Sequence, residues 1–169
     1  VKRDFSTLRF NFRGVGKSQG SYDDGEGELT DAATAMDWIQ TQNPSATHCW
    51  VAGFSFGSWI GMQLMMRRPE IKGFISLSAP ALTRDFAFLA PCPSSGLFIH
   101  GSDDEIVPSL ALTRILEKIS IQKGAVIKDI IIQGADHFFN DHNNEVIDAV
   151  GKYLDRRLDK DWNFTSNHE

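Results

Sequence analysis

Three side chains that together could perform acyl transfer stand in turn-rich stretches of the sequence, each of which follows an apolar run. Ser55 is the central residue of a Gly-x-Ser-x-Gly pentapeptide, Asp104 lies in an acidic loop, and His137 follows a Gly-Ala-Asp tripeptide. A serine hydroxyl becomes an effective nucleophile when a neighbouring imidazole takes its proton. A carboxylate then orients the imidazole and stabilises its charged form. The residue types and the order Ser…Asp…His therefore predict a Ser-His-Asp triad.

The pentapeptide around Ser55 has the surroundings of a nucleophile elbow. An apolar run ends at Ala52 and a helix-like sequence begins at Phe56, so we expect a strand, a sharp turn and a helix in succession. Small residues at Gly53 and Gly57 are expected because side chains there would collide with the strand and helix backbones. The backbone N–H of Phe56, at the head of the helix, is a candidate donor to the oxyanion of the reaction.

Other residues compete for the roles of acid and base. Asp103 is adjacent to Asp104, and the residue types alone do not choose between these two carboxylates. His142 is the nearest rival to His137 as the base. His100 also ends an apolar run, and we expect it to be a hydrogen-bonded structural histidine.

No cofactor or metal ion is predicted. The glycine-rich loop at 13–20 departs from the phosphate-binding loop, which needs glycine where Asn11 stands. It also departs from the dinucleotide fingerprint, which needs glycine where Gln19 stands. The Asp-His pairs at 136–137 and 141–142 match no usual spacing of metal ligands. We therefore expect the loop to be a turn that leaves a strand.

Apolar patterning predicts alternating strands and helices. Strands are expected at residues 6–12, 47–54, 71–77, 97–100 and 126–132, and helices at 28–42, 56–68, 109–121 and 145–158. Such alternation favours an α/β fold with a largely parallel sheet. In that architecture functional groups gather beyond the carboxyl ends of the strands, where Ser55, Asp104 and His137 all fall. We expect residues 1–158 to form a single domain and residues 159–169 a mobile tail.

Four motifs occur in an order that is typical of one superfamily. They are NFRGVGKS at 11–18, GFSFG at 53–57, HGxxDxxVP at 100–108 and GADH at 134–137. Together they resemble the α/β-hydrolase superfamily, and are most similar to its compact bacterial members near the dienelactone-hydrolase-like and serine-aminopeptidase-like branches. The resemblance implies a mostly parallel sheet flanked by helices, with Ser55 as nucleophile and His137 as base. It places the acid three residues before Val107, which is Asp104.

The sequence departs from the family pattern at its beginning. It starts at Val1 rather than methionine and enters a predicted strand almost at once, as a piece cut from a longer protein would. In the resembling fold, another strand lies between the strand at 6–12 and the elbow strand, and its loop usually supplies a second oxyanion donor. We therefore expect a gap in the sheet, and poor folding of the chain alone because of the exposed edges. One missing donor is expected to weaken transition-state binding by about 2.7–4 kcal/mol.

Composition limits the classes of function. The chain is 41% hydrophobic and 23% charged and has a net charge of −5, which is ordinary for a globular domain and offers no basic surface for nucleic acid. It contains no apolar run approaching the roughly 18 residues that a membrane span requires. Its two cysteines form no Cys-x-x-Cys pair, which favours free thiols in a cytoplasmic protein.

The predicted function is that of a cofactor-free, carboxylesterase-like serine hydrolase that cleaves small carboxylic esters or thioesters. The segment at 79–95 is too short for a large cap domain. Its apolar residues Phe86, Phe88 and Leu89 could line an acyl pocket or could pack against the sheet. The alternatives are a peptidase of the same fold and a non-catalytic or truncated α/β-hydrolase-like protein.

Overall fold

The computed structural model describes residues 4–121 and 124–159, and within them four strands form one parallel sheet. The strands are β1 (Cys49–Phe54), β2 (Ile71–Leu77), β3 (Gly96–Gly101) and β4 (Ile127–Ile132). They lie in the order β1-β2-β3-β4, and each strand pairs in parallel with the next. The predicted α/β fold with a largely parallel sheet is confirmed.

Four α-helices cover the two faces of the sheet, namely α1 (Glu26–Gln42), α2 (Phe56–Arg67), α3 (Ser109–Ser120) and α4 (Asn143–Leu158). Side chains of α1, α2 and α3 join the hydrophobic cluster on one face, in which Ile60, Phe74 and Phe98 are completely buried. Side chains of α4 pack on the other face, over Leu97 and Ile99. Strand β3 is buried on both faces, which explains why its sequence is a continuous apolar run.

The four predicted helices and four of the five predicted strands are confirmed, and their ends differ from the predictions by at most two residues. Helix α1 begins at Glu26, two residues before the predicted start. The reason is that Glu28 accepts hydrogen bonds from the backbone N–H groups of Asp23 (3.0 Å) and Gly25 (2.8 Å). These bonds satisfy donors that a helix start leaves unpaired, so the helix begins earlier than its apolar face does. Burial alone would raise the pKa of Glu28, but the backbone donors outweigh it and leave the pKa below its ordinary value.

The predicted strand at residues 6–12 is wrong. In the structure these residues form an irregular segment, in which Phe10 lines a groove with Trp38 of α1 and Phe12 packs edge-on against Phe56 at 5.8 Å between ring centres. A strand needs a neighbouring backbone to pair with, and none of the four described strands pairs with this segment. Its alternating apolar residues therefore pack on helices instead of forming part of a sheet.

The glycine-rich loop that follows Phe12 is anchored to α1 by one ion pair. Asp31 accepts hydrogen bonds from the backbone N–H of Arg13 (2.9 Å), from its Nε (3.2 Å) and from its Nη2 (2.9 Å). The Arg13 guanidinium holds the pKa of the Asp31 carboxyl below its ordinary value. The loop is therefore held against α1 as a structural turn.

None of the helices among the described residues is long and apolar enough to cross a membrane. The predicted mobile tail at 159–169 lies, from residue 160 onward, outside the residues that the structure describes.

Candidate active site

Three of the four strands place one chemically active side chain each beyond their carboxyl ends. Ser55 follows β1 directly, Asp104 lies in the loop after β3, and His137 lies in the loop after β4. The Ser55 Oγ lies 3.0 Å from the Nε2 of His137. The Nδ1 of the same imidazole lies 2.8 Å from the Oδ2 of Asp104. The structure therefore brings the three predicted residues together in one continuous chain of hydrogen bonds.

The carboxylate of Asp104 is buried and has a partner for each oxygen. Its Oδ1 accepts hydrogen bonds from the backbone N–H groups of Ile106 (2.9 Å) and Val107 (2.7 Å), which leaves Oδ2 to face His137. An ionised carboxylate can only accept, so the proton shared with it belongs to Nδ1 of the imidazole. Nε2 is then unprotonated and is the acceptor for the hydroxyl of Ser55. This tautomer is the one that a general base requires.

The turn that presents Ser55 is strained. Ser55 has φ 48° and ψ −119°, a conformation that residues with a side chain rarely adopt. Its N–H donates to the carbonyl of Leu77 in β2 (2.8 Å), and its carbonyl accepts from the N–H of Ser58 in the first turn of α2 (2.9 Å). The β-sheet and the helix therefore hold this conformation from both sides, as a nucleophile elbow requires.

The two glycines of the pentapeptide serve the elbow unequally. A Cβ on Gly53 would lie 2.5 Å from the carbonyl carbon of Gly57 and 2.6 Å from the Cα of Ser58, so no side chain fits there. A Cβ on Gly57 would meet only the ring of Phe12, at 3.9 Å, an ordinary contact. The expected collision is therefore confirmed for Gly53 and wrong for Gly57, because the outer face of the first turn of α2 is open at that point.

The backbone N–H of Phe56 stands at the first position of α2, where helical N–H groups have no acceptor within the helix. The Phe56 ring lies near the rings of Phe12 and Tyr22, at 5.8 Å and 5.9 Å. The guanidinium of Arg84 lies 5.6 Å from the Phe56 ring centre and 4.6 Å from that of Trp59. These contacts fix the residue that carries the candidate oxyanion donor.

The competing residues lie elsewhere in the structure. Asp103 accepts a hydrogen bond from Ser102 and does not contact His137, so Asp104 is the carboxylate that the imidazole meets. The Nδ1 of His142 is hydrogen-bonded to the Oε1 of Glu145 at the start of α4 (2.9 Å). No three His, Cys, Asp or Glu side chains within residues 4–121 and 124–159 are placed to hold one metal ion.

His100 is buried, as expected for a structural histidine, but it lacks the expected hydrogen bond. Its Nδ1 lies 3.2 Å from the carboxylate of Asp129. Despite that short distance, neither ring nitrogen has a hydrogen-bond partner among the described residues. The strand position of His100 was sufficient to predict its burial, whereas its partner depends on the neighbouring strand.

The loop that carries His137 is held by two side chains for which the sequence analysis proposed no such role. Asp136 accepts hydrogen bonds from the backbone N–H groups of Asn140 (2.9 Å) and Phe138 (3.1 Å), which hold its pKa below its ordinary value. The buried hydroxyl of Ser78 donates to the backbone carbonyl of His137 (2.8 Å). Ser78 ends an apolar run in the sequence, and that position was its only signal.

The three candidate substrate-binding residues are not on an open surface. Phe86 and Leu89 are fully buried in the hydrophobic cluster under α2, and Phe88 is half-buried and stacks on Phe86 at 6.0 Å. Burial of Phe86 and Leu89 favours the alternative that these residues pack against the sheet, and an acyl pocket at 86–89 stays a prediction. A short 3₁₀-helix, Ala87–Leu89, turns these side chains inward.

This chain matches the sequence model of the family described as serine aminopeptidase, S33, over residues 1–94. A crystal structure of a protein of unknown function from Agrobacterium tumefaciens, a proposed α/β hydrolase, is 55% identical and superposes with a TM-score of 0.90 over 93% of this chain and 72% of that one. An α/β serine hydrolase without a lid from Xanthomonas campestris is 33% identical, with a TM-score of 0.79 over 89% of this chain and 66% of that one.

A relative among curated sequences is an uncharacterized protein of Rickettsia prowazekii. It is 46% identical over 158 residues, which are 91% of this chain and 66% of that protein. The chain thus spans just under two thirds of the length of this curated relative.

Proposed function

We propose that this chain, which belongs to the α/β-hydrolase superfamily and to its serine aminopeptidase S33 family, is a serine hydrolase that works by acyl transfer. Ser55 is the nucleophile, His137 the general base and acid, and Asp104 the residue that orients His137. The observation that carries the proposal is the continuous chain of hydrogen bonds from the Ser55 hydroxyl through the imidazole to the buried carboxylate. A non-catalytic relative has no need of that arrangement.

The reaction proceeds in two halves. The Oγ of Ser55 attacks the substrate carbonyl carbon while Nε2 of His137 takes the hydroxyl proton. The bond from that carbon to the leaving oxygen or sulfur then breaks, and the same proton passes from Nε2 to the leaving atom. Water repeats the sequence on the acyl-enzyme, giving up a proton to His137 and releasing the acid. Asp104 remains ionised and stabilises the imidazolium between the two transfers.

The negative charge that forms on the carbonyl oxygen needs donors fixed in advance. The backbone N–H of Phe56 is the proposed donor from this chain, since it is unpaired within the helix and adjoins Ser55. The helix dipole of α2 adds to its effect, because the N-terminus of a helix carries partial positive charge.

Small carboxylic esters or thioesters are the proposed substrates. The segment at 79–95, which could have formed a cover, folds into the core through Phe86 and Leu89, so these residues do not enclose the site. The 33% identical Xanthomonas protein is likewise described as lacking a lid. A small ester reaches such an open site without a cap to admit it.

The two cysteines of the chain bear on the compartment in which it acts. Burial raises the pKa of the Cys49 and Cys92 thiols, so both are structural rather than reactive. Free thiols are typical of a reducing compartment, and we propose that the protein acts in the cytoplasm on a small molecule, without nucleic acid or membrane as partner.

The family description makes a peptidase the second candidate, and a substrate comparison separates the two. The chain is expected to hydrolyse p-nitrophenyl butyrate faster than L-alanine p-nitroanilide, with both activities lost in Ser55→Ala. Both reactions release a coloured product and can be followed in the same buffer. Faster cleavage of the anilide would favour the peptidase, and turnover that persists in Ser55→Ala would contradict the proposed nucleophile.

A further inference from the structure

We propose that Phe54 and Phe138 form the binding surface for the leaving group of the substrate, and that the preferred substrates are esters of aromatic or other apolar alcohols. The inference deepens the proposed function and rests on it. It concerns the alcohol half of the ester, whereas the sequence had suggested a pocket for the acyl half.

The two phenyl rings flank the imidazole of His137. The ring centres of Phe54 and Phe138 lie 5.3 Å and 5.2 Å from that of His137, and they lie 5.9 Å from each other. Phe54 precedes Ser55 in the chain, and Phe138 follows His137, so both rings are tied to the residues that react. Because Nε2 lies 3.0 Å from the Ser55 Oγ, the rings adjoin the point where an acyl group is transferred.

The chemistry fixes which half of the substrate meets these rings. His137 must deliver its proton to the leaving oxygen, so that oxygen lies within hydrogen-bond reach of Nε2 when the bond breaks. The group attached to the leaving oxygen then extends along the His137 side of Ser55. The rings of Phe54 and Phe138 form the apolar surface on that side.

The exposure of the three rings supports this assignment. His137 is only 4% exposed, whereas Phe54 is 39% and Phe138 is 59% exposed. The leaving oxygen must reach Nε2, and the apolar group attached to it then meets phenyl surface rather than the sides of the imidazole. An apolar ligand that covers exposed aromatic side chains beside a reactive centre binds favourably, because it removes their apolar surface from water. An aromatic alcohol would also make ring–ring contacts there.

The test varies the alcohol and the acyl group separately. In the unmodified chain kcat/KM is expected to be higher for benzyl acetate than for ethyl acetate. Phe138→Ala is expected to lower the ratio of kcat/KM for benzyl acetate to kcat/KM for ethyl acetate about tenfold, the upper range of one aromatic contact. Phe138→Leu should retain most of the benzyl acetate activity because it keeps apolar surface. The same loss is expected for benzyl butyrate, since the acyl group is not involved.

Trp38→Ala is the matched control, because Trp38 is 55% exposed and lies on α1 rather than beside His137. It should change no ester more than twofold. Equal losses for ethyl and benzyl acetate in Phe138→Ala, or a loss that follows the acyl group, would overturn the inference. Hydrolysis of ethyl acetate that disappears in Ser55→Ala tests the proposed function separately, because it does not depend on the alcohol preference.

A second inference rests on a different contact. We infer that Ser78 is a positioning residue for His137. Its hydroxyl is buried and donates to the backbone carbonyl of His137 (2.8 Å), a residue 59 positions away in the chain. Its own N–H donates to the carbonyl of Ile99 in β3 (2.9 Å), which ties it to the sheet.

The backbone of Ser78 indicates that this placement is costly. Ser78 has φ +46°, in the left-handed region that residues with a side chain seldom occupy. The strained turn directs the hydroxyl to the backbone of the His137 loop. Because Ser78 is itself bonded to β3, this contact fixes the position of the imidazole relative to Ser55. A displacement of the base by about 1 Å can cost on the order of 100-fold in rate.

Ser78→Ala and Ser78→Gly separate the hydrogen bond from the backbone strain. Both remove the hydroxyl, and only glycine also relieves the positive φ. Both are expected to lower kcat about 10- to 100-fold with KM changed less than twofold. Ser76→Ala is the control, because Ser76 is buried like Ser78 and lies two residues before it, in β2. Its hydroxyl is hydrogen-bonded to that of Ser58 instead of to the His137 loop. It should lower the thermal midpoint as Ser78→Ala does, yet leave kcat within twofold. A kcat that stays within twofold in folded Ser78→Ala, or falls as far in Ser76→Ala, would overturn the inference.

Discussion

Replacing Asp104 with asparagine is expected to lower kcat about 10⁴-fold while leaving the fold intact, as loss of the correct tautomer does in a Ser-His-Asp triad. The backbone N–H groups of Ile106 and Val107 both donate to Oδ1, so the amide oxygen of the introduced asparagine has to take that position. The amide NH₂ then faces Nδ1 of His137 and donates to it. The imidazole proton is forced to Nε2, where it blocks acceptance of the hydroxyl proton of Ser55.

The measurement is kcat for p-nitrophenyl butyrate in the two proteins, with circular dichroism to compare their folds. Asp103→Asn is the matched control, since Asp103 is adjacent in the chain and its carboxylate bonds to Ser102 rather than to His137. We expect that control to retain kcat within about twofold, because surface substitutions away from a site have small effects. Comparable losses in Asp103→Asn and Asp104→Asn would contradict the assignment of the acid.

Gly53→Ala is expected to destabilise the chain by more than about 4 kcal/mol, in the range reserved for steric failure at a special backbone position. A Cβ at this position would lie 2.6 Å from the Cα of Ser58 and 2.5 Å from the carbonyl carbon of Gly57. Both are backbone atoms, so no side-chain rotation relieves the clash. Strand β1 and helix α2 would have to separate at the point where they present Ser55.

Gly57→Ala gives the opposite expectation and is the matched control. Its Cβ would make one ordinary contact with Phe12, at 3.9 Å, and Gly57 lies within α2. Alanine is favoured over glycine within a helix by about 1 kcal/mol, so the substitution should leave the free energy of unfolding unchanged or raise it. Urea unfolding of the three proteins measures both effects. A Gly57→Ala variant as unstable as Gly53→Ala would show that the elbow is closed on both sides.

The sequence was sufficient to predict the elements whose patterns are local. Strand β3 could be predicted because it is buried on both faces, which requires a run of apolar residues. Helix α4 could be predicted because only one of its faces is buried, which gives apolar residues at helical spacing. The triad could be proposed for a similar reason. Parallel strands bring the residues after their carboxyl ends to one edge, so the positions of Ser55, Asp104 and His137 relative to their strands were enough.

The features that the sequence did not reveal depend on contacts between distant segments. The alternation of apolar and polar residues at 6–12 fits a strand and an irregular segment equally well. The two are distinguished only by pairing, and none of the described strands pairs with this segment. Phe86 and Phe138 are both phenylalanines next to polar residues, yet one is in the core and the other is exposed beside His137. The role of the Ser78 hydroxyl depends on a carbonyl in another loop.

Covalent labelling with a fluorophosphonate tests the central claim most directly, because the reagent reacts with a serine hydroxyl only when a base has activated it. Peptide mass spectrometry of the labelled chain is expected to find the phosphonyl group on Ser55. Labelling should disappear in Ser55→Ala and should be far slower in Asp104→Asn than in Asp103→Asn. A phosphonyl group on another residue, or undiminished labelling of Ser55→Ala, would contradict the assignment of Ser55 as the nucleophile.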